Sequence, residues 1–261
     1  MDTRPIGMFD SGVGGLTVYK EIRKVLPNED IIYYGDTKSF PYGNKSKENI
    51  ISLTKKGIDF LISQNVKAII IACGTATSQA LETMCCLYSI PIIGIIDSTA
   101  KYVSKQPNLN TIGVIATSGT IRSNGWQSAL LKYNPNLNII NKSCPLLAPM
   151  AEEGWTNNQI ADLTVNEYMK ELYNVDALIL GCTHYPLFTN IFKKYLKPDS
   201  QVINTGTIIA QDLCTILGSN LLNTPTHIGS LNIYLTDTEC NFVFVADKLL
   251  NNSNLVIHNV L

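Results

Sequence analysis

The sequence predicts an α/β protein of two similar lobes with largely parallel sheets, related by an internal pseudo-two-fold duplication, with a cleft between them. Two observations carry this expectation. Short apolar runs of strand length alternate with amphipathic helical stretches, the pattern of parallel sheets covered by helices. In addition, Val66-Lys67-Ala68-Ile69-Ile70-Ile71-Ala72-Cys73-Gly74-Thr75 returns as Val175-Asp176-Ala177-Leu178-Ile179-Leu180-Gly181-Cys182-Thr183-His184. In both copies an apolar strand ends in a small residue and then a cysteine.

Along the chain, Pro5–Phe9 is the first expected strand and leads into the glycine-rich turn Asp10-Ser11-Gly12-Val13-Gly14-Gly15. Ile31–Tyr34 follows. A helix comes next, because Ile50, Leu53, Gly57 and Leu61 fall on one face beside Ile51, Ile58 and Ile62. Ala68–Ala72 and Ile92–Ile96 complete the strands of the first half. Thr111–Ala116, Leu137–Asn141, Ala177–Leu180 and Gln201–Ile203 are those of the second. The remainder reads as a strand at Ile233–Leu235, a helix from Thr238 and a last strand at Asn254–His258. The duplication extends past the cysteines. Ile6 to Gly12 answers to Ile112 to Ser118, and Ile95-Ile96-Asp97-Ser98 to Gln201-Val202-Ile203-Asn204-Thr205 at its last three positions. Offsets of about 106, 109 and 107 residues keep three strand ends in the same order.

The composition narrows the class. Of 261 residues, 45% are hydrophobic and 16% charged, with a net charge of −1 and no basic block, so neither nucleic acid nor an anionic membrane surface is an expected partner. No apolar stretch reaches spanning length and no secretory signal precedes the first strand. Seven cysteines without framework spacing fit a reducing cytoplasm.

Ligands of open α/β sheets bind outside the carboxyl ends of the strands. Asp10, Ser11, Cys73, Asp97, Thr117, Cys182 and Asn204 are expected there, converging on one cleft with a thiol on each side. The turn after Asp10 is neither a dinucleotide fingerprint, because Thr17 stands where the third glycine belongs, nor a phosphate loop, because Val13 replaces its lysine. Its backbone N–H groups at a helix start suit a carboxylate. Cys73 and Cys182 precede expected helices, whose N-termini lower a thiol pKa. Thr75 and Thr183 add hydroxyls beside them. Cys85, Cys86, Cys144, Cys214 and Cys240 read as inert structural residues. His184 lies too near Cys182 for zinc spacing, so no metal is expected; it is placed to tune or relay the Cys182 proton, with Asp10 the counterpart near Cys73 and Glu152 a further carboxylate. Two opposed thiols with anion sites and no cofactor motif fit stereoinversion at a carbon acid. One base removes the α-proton and the opposite acid returns one to the other face.

The chain resembles the bacterial glutamate racemases of the cofactor-independent aspartate/glutamate racemase superfamily. The resemblance runs through Gly7-Met8-Phe9-Asp10-Ser11-Gly12-Val13-Gly14-Gly15, Tyr34-Gly35-Asp36, Pro41-Tyr42-Gly43, Ala72-Cys73-Gly74-Thr75-Ala76, Cys144-Pro145-Leu146, Glu152-Glu153-Gly154 and Gly181-Cys182-Thr183-His184-Tyr185-Pro186. It implies interconversion of L- and D-glutamate without a cofactor, supplying D-glutamate for peptidoglycan. Cys73 would serve the D-enantiomer with Asp10, and Cys182 the L-enantiomer with His184, Glu152 supporting. Substrate contacts would fall on Asp10, Ser11, Tyr42, Gly43, Gly74, Thr75, Thr117, Thr120, Thr183 and His184. It further implies a discontinuous first lobe, residues 1–97 plus 207–261, a second lobe at 98–206, and a homodimer. The family usually carries Asn where this chain has Gly74. Competing readings are an aspartate or broad-specificity amino-acid racemase, a decarboxylase needing one cysteine, and a catalytically silent binding protein.

Overall fold

The structure, a computed structural model, describes residues 2–251 and 255–260; Asn254, the expected start of the last strand, and Leu261 lie outside them. Its strands in chain order are β1 (Ile6–Asp10), β2 (Ile31–Gly35), β3 (Ala68–Ile71), β4 (Ile92–Gly94) and β5 (Thr111–Ala116), then β6 (Asn138–Ser143), β7 (Ala177–Leu180), β8 (Gln201–Ile203), β9 (Leu231–Leu235) and β10 (Val256–Asn259). The helices of the first half are α1 (Gly15–Val25), α2 (Lys47–Ser63), α3 (Gly74–Leu87) and α4 (Ile95–Ser104). Those of the second are α5 (Ser118–Arg122), α6 (Gly125–Tyr133), α7 (Leu147–Glu152), α8 (Gln159–Met169) and α9 (Thr189–Phe192), followed by α10 (Thr205–Leu221) and α11 (Phe242–Leu250).

Two sheets form, and every strand pair in them is parallel. The first runs β10-β9-β2-β1-β3-β4 and the second β6-β5-β7-β8. The order β2-β1-β3-β4 is thus repeated as β6-β5-β7-β8, and the chain reverses its direction of growth at β1 and again at β5. Such a reversal opens a crevice at the strand carboxyl ends.

Burial explains why these strands read as unbroken apolar runs. All four residues of β3 are buried. Ile70 enters the cluster between the sheets, whereas Ile69 and Ile71 enter the cluster on the outer face. Each buried Ile side chain contributes about 1.5–3 kcal/mol, so both faces must stay apolar. The middle cluster draws on both lobes. Met8, Leu16 and Ala100 share it with Val114, Trp126 and Ile179, and Ile209 and Leu213 of α10 fill it. The lobes therefore hold a common core.

The far ends of the strands carry a second duplicated feature with changed chemistry. Lys67, before β3, is fully buried and pairs with Glu29 at 2.5 Å while donating to the Asp2 carbonyl at 2.8 Å. Glu29 accepts from the Asn223 N–H at 2.6 Å. The matching residue before β7 is Asp176, which accepts from the Asn110 and Thr111 N–H groups and from Lys197.

Several expectations are corrected. The strand expected at Ile92–Ile96 ends at Gly94, and Ile95 and Ile96 open α4. Asp97 is consequently exposed and binds Lys132 and Tyr133, away from the cysteines. Asn204 caps α10 through the Gly206 N–H. Cys85 and Cys86 are exposed rather than packed inside, and Cys240 precedes α11 instead of lying in it.

Candidate active site

The carboxyl ends of β1, β3, β5 and β7 face one another across the lobes. Asp10 closes β1 and is fully buried. Its Oδ2 accepts from the Gly12 N–H at 3.1 Å and its Oδ1 from the Thr183 hydroxyl at 3.2 Å, so one carboxylate ties the turn of the first lobe to the second. Cys73 stands at the head of α3, and its thiol donates to the Ser11 hydroxyl at 3.6 Å. Opposite, the Cys182 sulfur meets Nδ1 of His184 at 3.6 Å, and the His184 Nε2 meets Oε1 of Glu152 at 2.6 Å. That oxygen also accepts from the Val13 N–H at 2.8 Å.

The glycine-rich turn thus holds carboxylates, as its chemistry suggests, and both are the protein's own. Two of its glycines are needed for this. A Cβ on Gly12 would lie 2.2 Å from Glu152 Oε1, and one on Gly14 would lie 2.6 Å from His184 Nδ1. Tyr33, from β2, donates to the Gly12 carbonyl at 2.5 Å and holds the turn from behind. The ring of Phe40 packs on His184 with centroids 5.5 Å apart. Thr17 donates to the Thr183 carbonyl at 2.8 Å.

Three further expected residues form a hydroxyl cluster across the seam. Thr75 lies 2.8 Å from Thr117 and 3.1 Å from Thr120, which are 2.9 Å apart. Gly43 packs so closely on Thr117 that a Cβ would reach it at 2.7 Å. Tyr42 is buried beside it and donates to Asp36 at 2.6 Å, which also accepts from Thr236. Thirteen residues expected at the site therefore gather at the seam, with the Tyr42 hydroxyl committed to Asp36.

Protonation follows from burial. Desolvation pushes the Asp10 carboxyl up to about 6, against the opposing influence of His184 and of the Gly12 and Gly15 N–H groups. Cys73 corrects an expectation. Desolvation first, and the Asp10 charge second, push its thiol up to about 12, outweighing the Ala76 N–H at the helix start. For His184, burial works to lower the pKa, but hydrogen bonds to Cys182 and Glu152 outweigh it and hold the imidazole well above its usual range. One thiol is therefore held neutral next to a carboxyl whose pKa burial has raised, whereas the other faces an imidazolium held by Glu152. Beside Glu152 a cavity of about 360 Å³, edged by Gly12, Phe40, Pro149, Glu153 and Asn241, leads from the seam.

Sequence reasoning missed Tyr33, Phe40, Val13 and Thr17. The spacing of Gly12 and Gly14 was the available signal, since glycines at alternate positions admit close approach by another segment.

A sequence model of the Asp/Glu/Hydantoin racemase family matches residues 6–213. The chain is 39% identical over 253 residues to a glutamate racemase of Geobacter metallireducens, covering 96% of this chain and 94% of that one. It is 43% identical over 250 residues to a glutamate racemase of Sulfurihydrogenibium sp., covering 95% and 92%. Among solved structures, a Francisella tularensis glutamate racemase in complex with D-glutamate superposes with a TM-score of 0.92 at 40% identity, covering 100% of this chain and 98% of that one.

Proposed function

The chain belongs to the Asp/Glu/Hydantoin racemase family, and from that premise we propose that it is a glutamate racemase working by two-thiol proton transfer without a cofactor. One observation carries the reading: two buried cysteines close equivalent strands of two copied lobes, each with its own proton-handling partner. The likeness to a racemase solved with D-glutamate supports glutamate as the substrate.

In this mechanism Cys73 exchanges the α-proton of D-glutamate and Cys182 that of L-glutamate. A thiolate on one side removes the proton, and the thiol opposite delivers another to the far face of the carbanion. Asp10 and His184 pass protons to and from the two sulfurs, and Glu152 keeps His184 cationic. The Thr75, Thr117 and Thr120 hydroxyls and the backbone of Ser11, Gly43, Gly74 and Thr183 are the donors for the two carboxylates, with the Tyr42 ring closing the pocket. Product D-glutamate would serve peptidoglycan synthesis.

The same reading assigns residues 1–97 plus 207–261 to the first lobe and 98–206 to the second, supported by β9 and β10 joining the first sheet. It makes the protein a cytoplasmic homodimer. Seven free cysteines support the compartment, and no described helix is long and apolar enough to cross a membrane. Exposed Trp155, Ile160 and Leu163 supply apolar surface for a second copy.

The test is purified protein with D-glutamate in deuterated buffer, followed by optical rotation and NMR, with D-aspartate in parallel. Loss of rotation with deuterium at the α-carbon for glutamate alone is the expected result. Equal rates on aspartate would move the protein to the broad-specificity racemases. No exchange on either substrate would overturn the enzyme reading in favour of a silent binder.

A further inference from the structure

The loop that carries Phe40, Tyr42 and Gly43 to the active site has little regular structure of its own. Residues 36–46 join β2 to α2 with two short 3₁₀ turns, Thr37–Ser39 and Tyr42–Asn44. What fixes the loop comes from the far end of the chain. β2 pairs with β9 in parallel, and Gly35 lies opposite Leu235 where both strands stop. Beyond that point side chains continue the pairing. Thr236 donates its hydroxyl to Asp36 Oδ1 at 2.9 Å and accepts the Lys38 N–H at 3.0 Å. Thr37 donates its hydroxyl to the Asp237 carbonyl at 2.6 Å and accepts the Asp237 N–H at 2.9 Å. These four bonds form a clasp between segments 198 to 200 positions apart, so nothing local in the sequence announces it.

Asp36 carries the clasp to the site. It is 4% exposed, and its Oδ2 accepts from the Tyr42 hydroxyl at 2.6 Å. A carboxylate this buried depends on its donors, because water does not replace a lost one. Thr236, Asp36 and Tyr42 thus make one hydrogen-bonded line from the end of β9 to the cleft. We propose that Thr236 is a positioning residue for substrate binding, acting through Asp36 to hold Tyr42 and Gly43 in place. This deepens the racemase reading above and rests on it, since that reading makes Tyr42 and Gly43 substrate contacts. The loop has little room to shift. Gly43 lies so close to Thr117 of the opposite lobe that an added Cβ would come within 2.7 Å. The Thr236 hydroxyl is bonded to Asp36 and Lys38, not to either thiol or its proton partner. Its loss should therefore weaken the hold on substrate and leave proton transfer at the sulfurs largely intact. Phe40 rides on the same loop against His184, which leaves room for a small loss in kcat.

Thr236→Val removes the hydroxyl and keeps the shape, and Thr236→Ser keeps the hydroxyl. With L- and D-glutamate as substrates, Thr236→Val should raise both KM values about 5- to 10-fold while kcat changes by less than about 3-fold. Thr236→Ser should hold KM within about 2-fold of the parent. Thr37→Val opens the other half of the clasp and should raise KM by a similar factor, so the test stands even where Thr236→Val does not fold. A purely structural role would lower the melting temperature and the yield of active protein without moving KM. Parental KM in the folded valine variants, a fall in kcat without a rise in KM, or a rise that serine shares with valine would overturn the proposal. Parent protein that does not racemise glutamate would instead overturn the reading on which it rests.

Discussion

Replacing Asp10 with Asn gives a prediction whose size follows from burial. The carboxyl is fully buried and is pushed from its ordinary 3.8 to about 6 by desolvation. A raised folded pKa means that the folded state binds its proton more tightly than the unfolded chain does. The stability contributed by protonated Asp10 is fully present below about pH 4 and is lost as pH rises through about 6. Two units at about 1.4 kcal/mol each make this roughly 3 kcal/mol. Asn cannot titrate, so Asp10→Asn should be free of that loss. The substitution has little cost of its own, because the amide oxygen can accept from the Gly12 N–H while its NH₂ donates to the Thr183 hydroxyl, which turns to accept. That cost does not vary with pH. The informative quantity is therefore the change with pH of the stability difference between variant and parent, measured by urea unfolding from pH 4 to pH 7.5. It should move by about 2–3 kcal/mol in favour of the variant. Parallel curves would refute the claim that burial raises the Asp10 pKa. Activity should fall by about 10²-fold or more with the loss of proton transfer beside Cys73.

Cys73→Ser and Cys182→Ser should each reduce racemisation to near background, and full activity in either would refute the two-base assignment; deuterium exchange of single enantiomers separates the two sides. Glu152→Gln keeps an acceptor for Val13 and His184 but removes the charge that raises the imidazole pKa, so kcat should fall about 10-fold with its alkaline limb moved to lower pH, read from a pH–rate profile. Lys67→Met leaves Glu29 buried without its cation and should cost about 3–5 kcal/mol in chemical unfolding. Because Lys67 precedes β3 at the end remote from Cys73, kinetic constants of the folded variant should match the parent.

The elements legible in the sequence were those whose signal is local. Ala68–Ile71 and Ala177–Leu180 announce themselves as strands because both faces are buried, and Cys73 and Cys182 because the copies align. Ile92–Ile96 failed because an apolar run does not mark where a strand passes directly into a buried helix turn; Ile95 and Ile96 are core residues of α4. Glu152 was placed by residue type and by the family resemblance, not by any local signal. Its hydrogen bond to Val13 spans 139 positions, and nothing near either residue announces the other. The Cys73 thiol was misjudged for a related reason. A helix start is visible in sequence, but the desolvation that overrides it depends on how tightly the second lobe closes over the first.

That closure makes copied lobes chemically unequal. Cys73 is paired with a hydroxyl and held neutral at about 12, whereas Cys182 faces an imidazolium 3.6 Å away. On the proposed assignment the resting site carries its acid, a neutral thiol, on the Cys73 side and its base, a thiolate beside the His184 imidazolium, on the Cys182 side. That is the arrangement needed to deprotonate the L-enantiomer and protonate toward the D-enantiomer. The inequality cannot alter the balance of products, because enantiomers have equal free energy and kcat/KM must be the same in both directions. It can alter only how kcat and KM divide and which protonation state the enzyme must regain after each turnover. Resetting after L-to-D conversion requires moving a proton off Cys182 and restoring one to Cys73. On the Cys182 side a hydrogen-bonded chain through His184 to Glu152 reaches the edge of a cavity. The Cys73 thiol meets the Ser11 hydroxyl near fully buried Asp10, and on the proposed assignment the slower proton exchange is expected there.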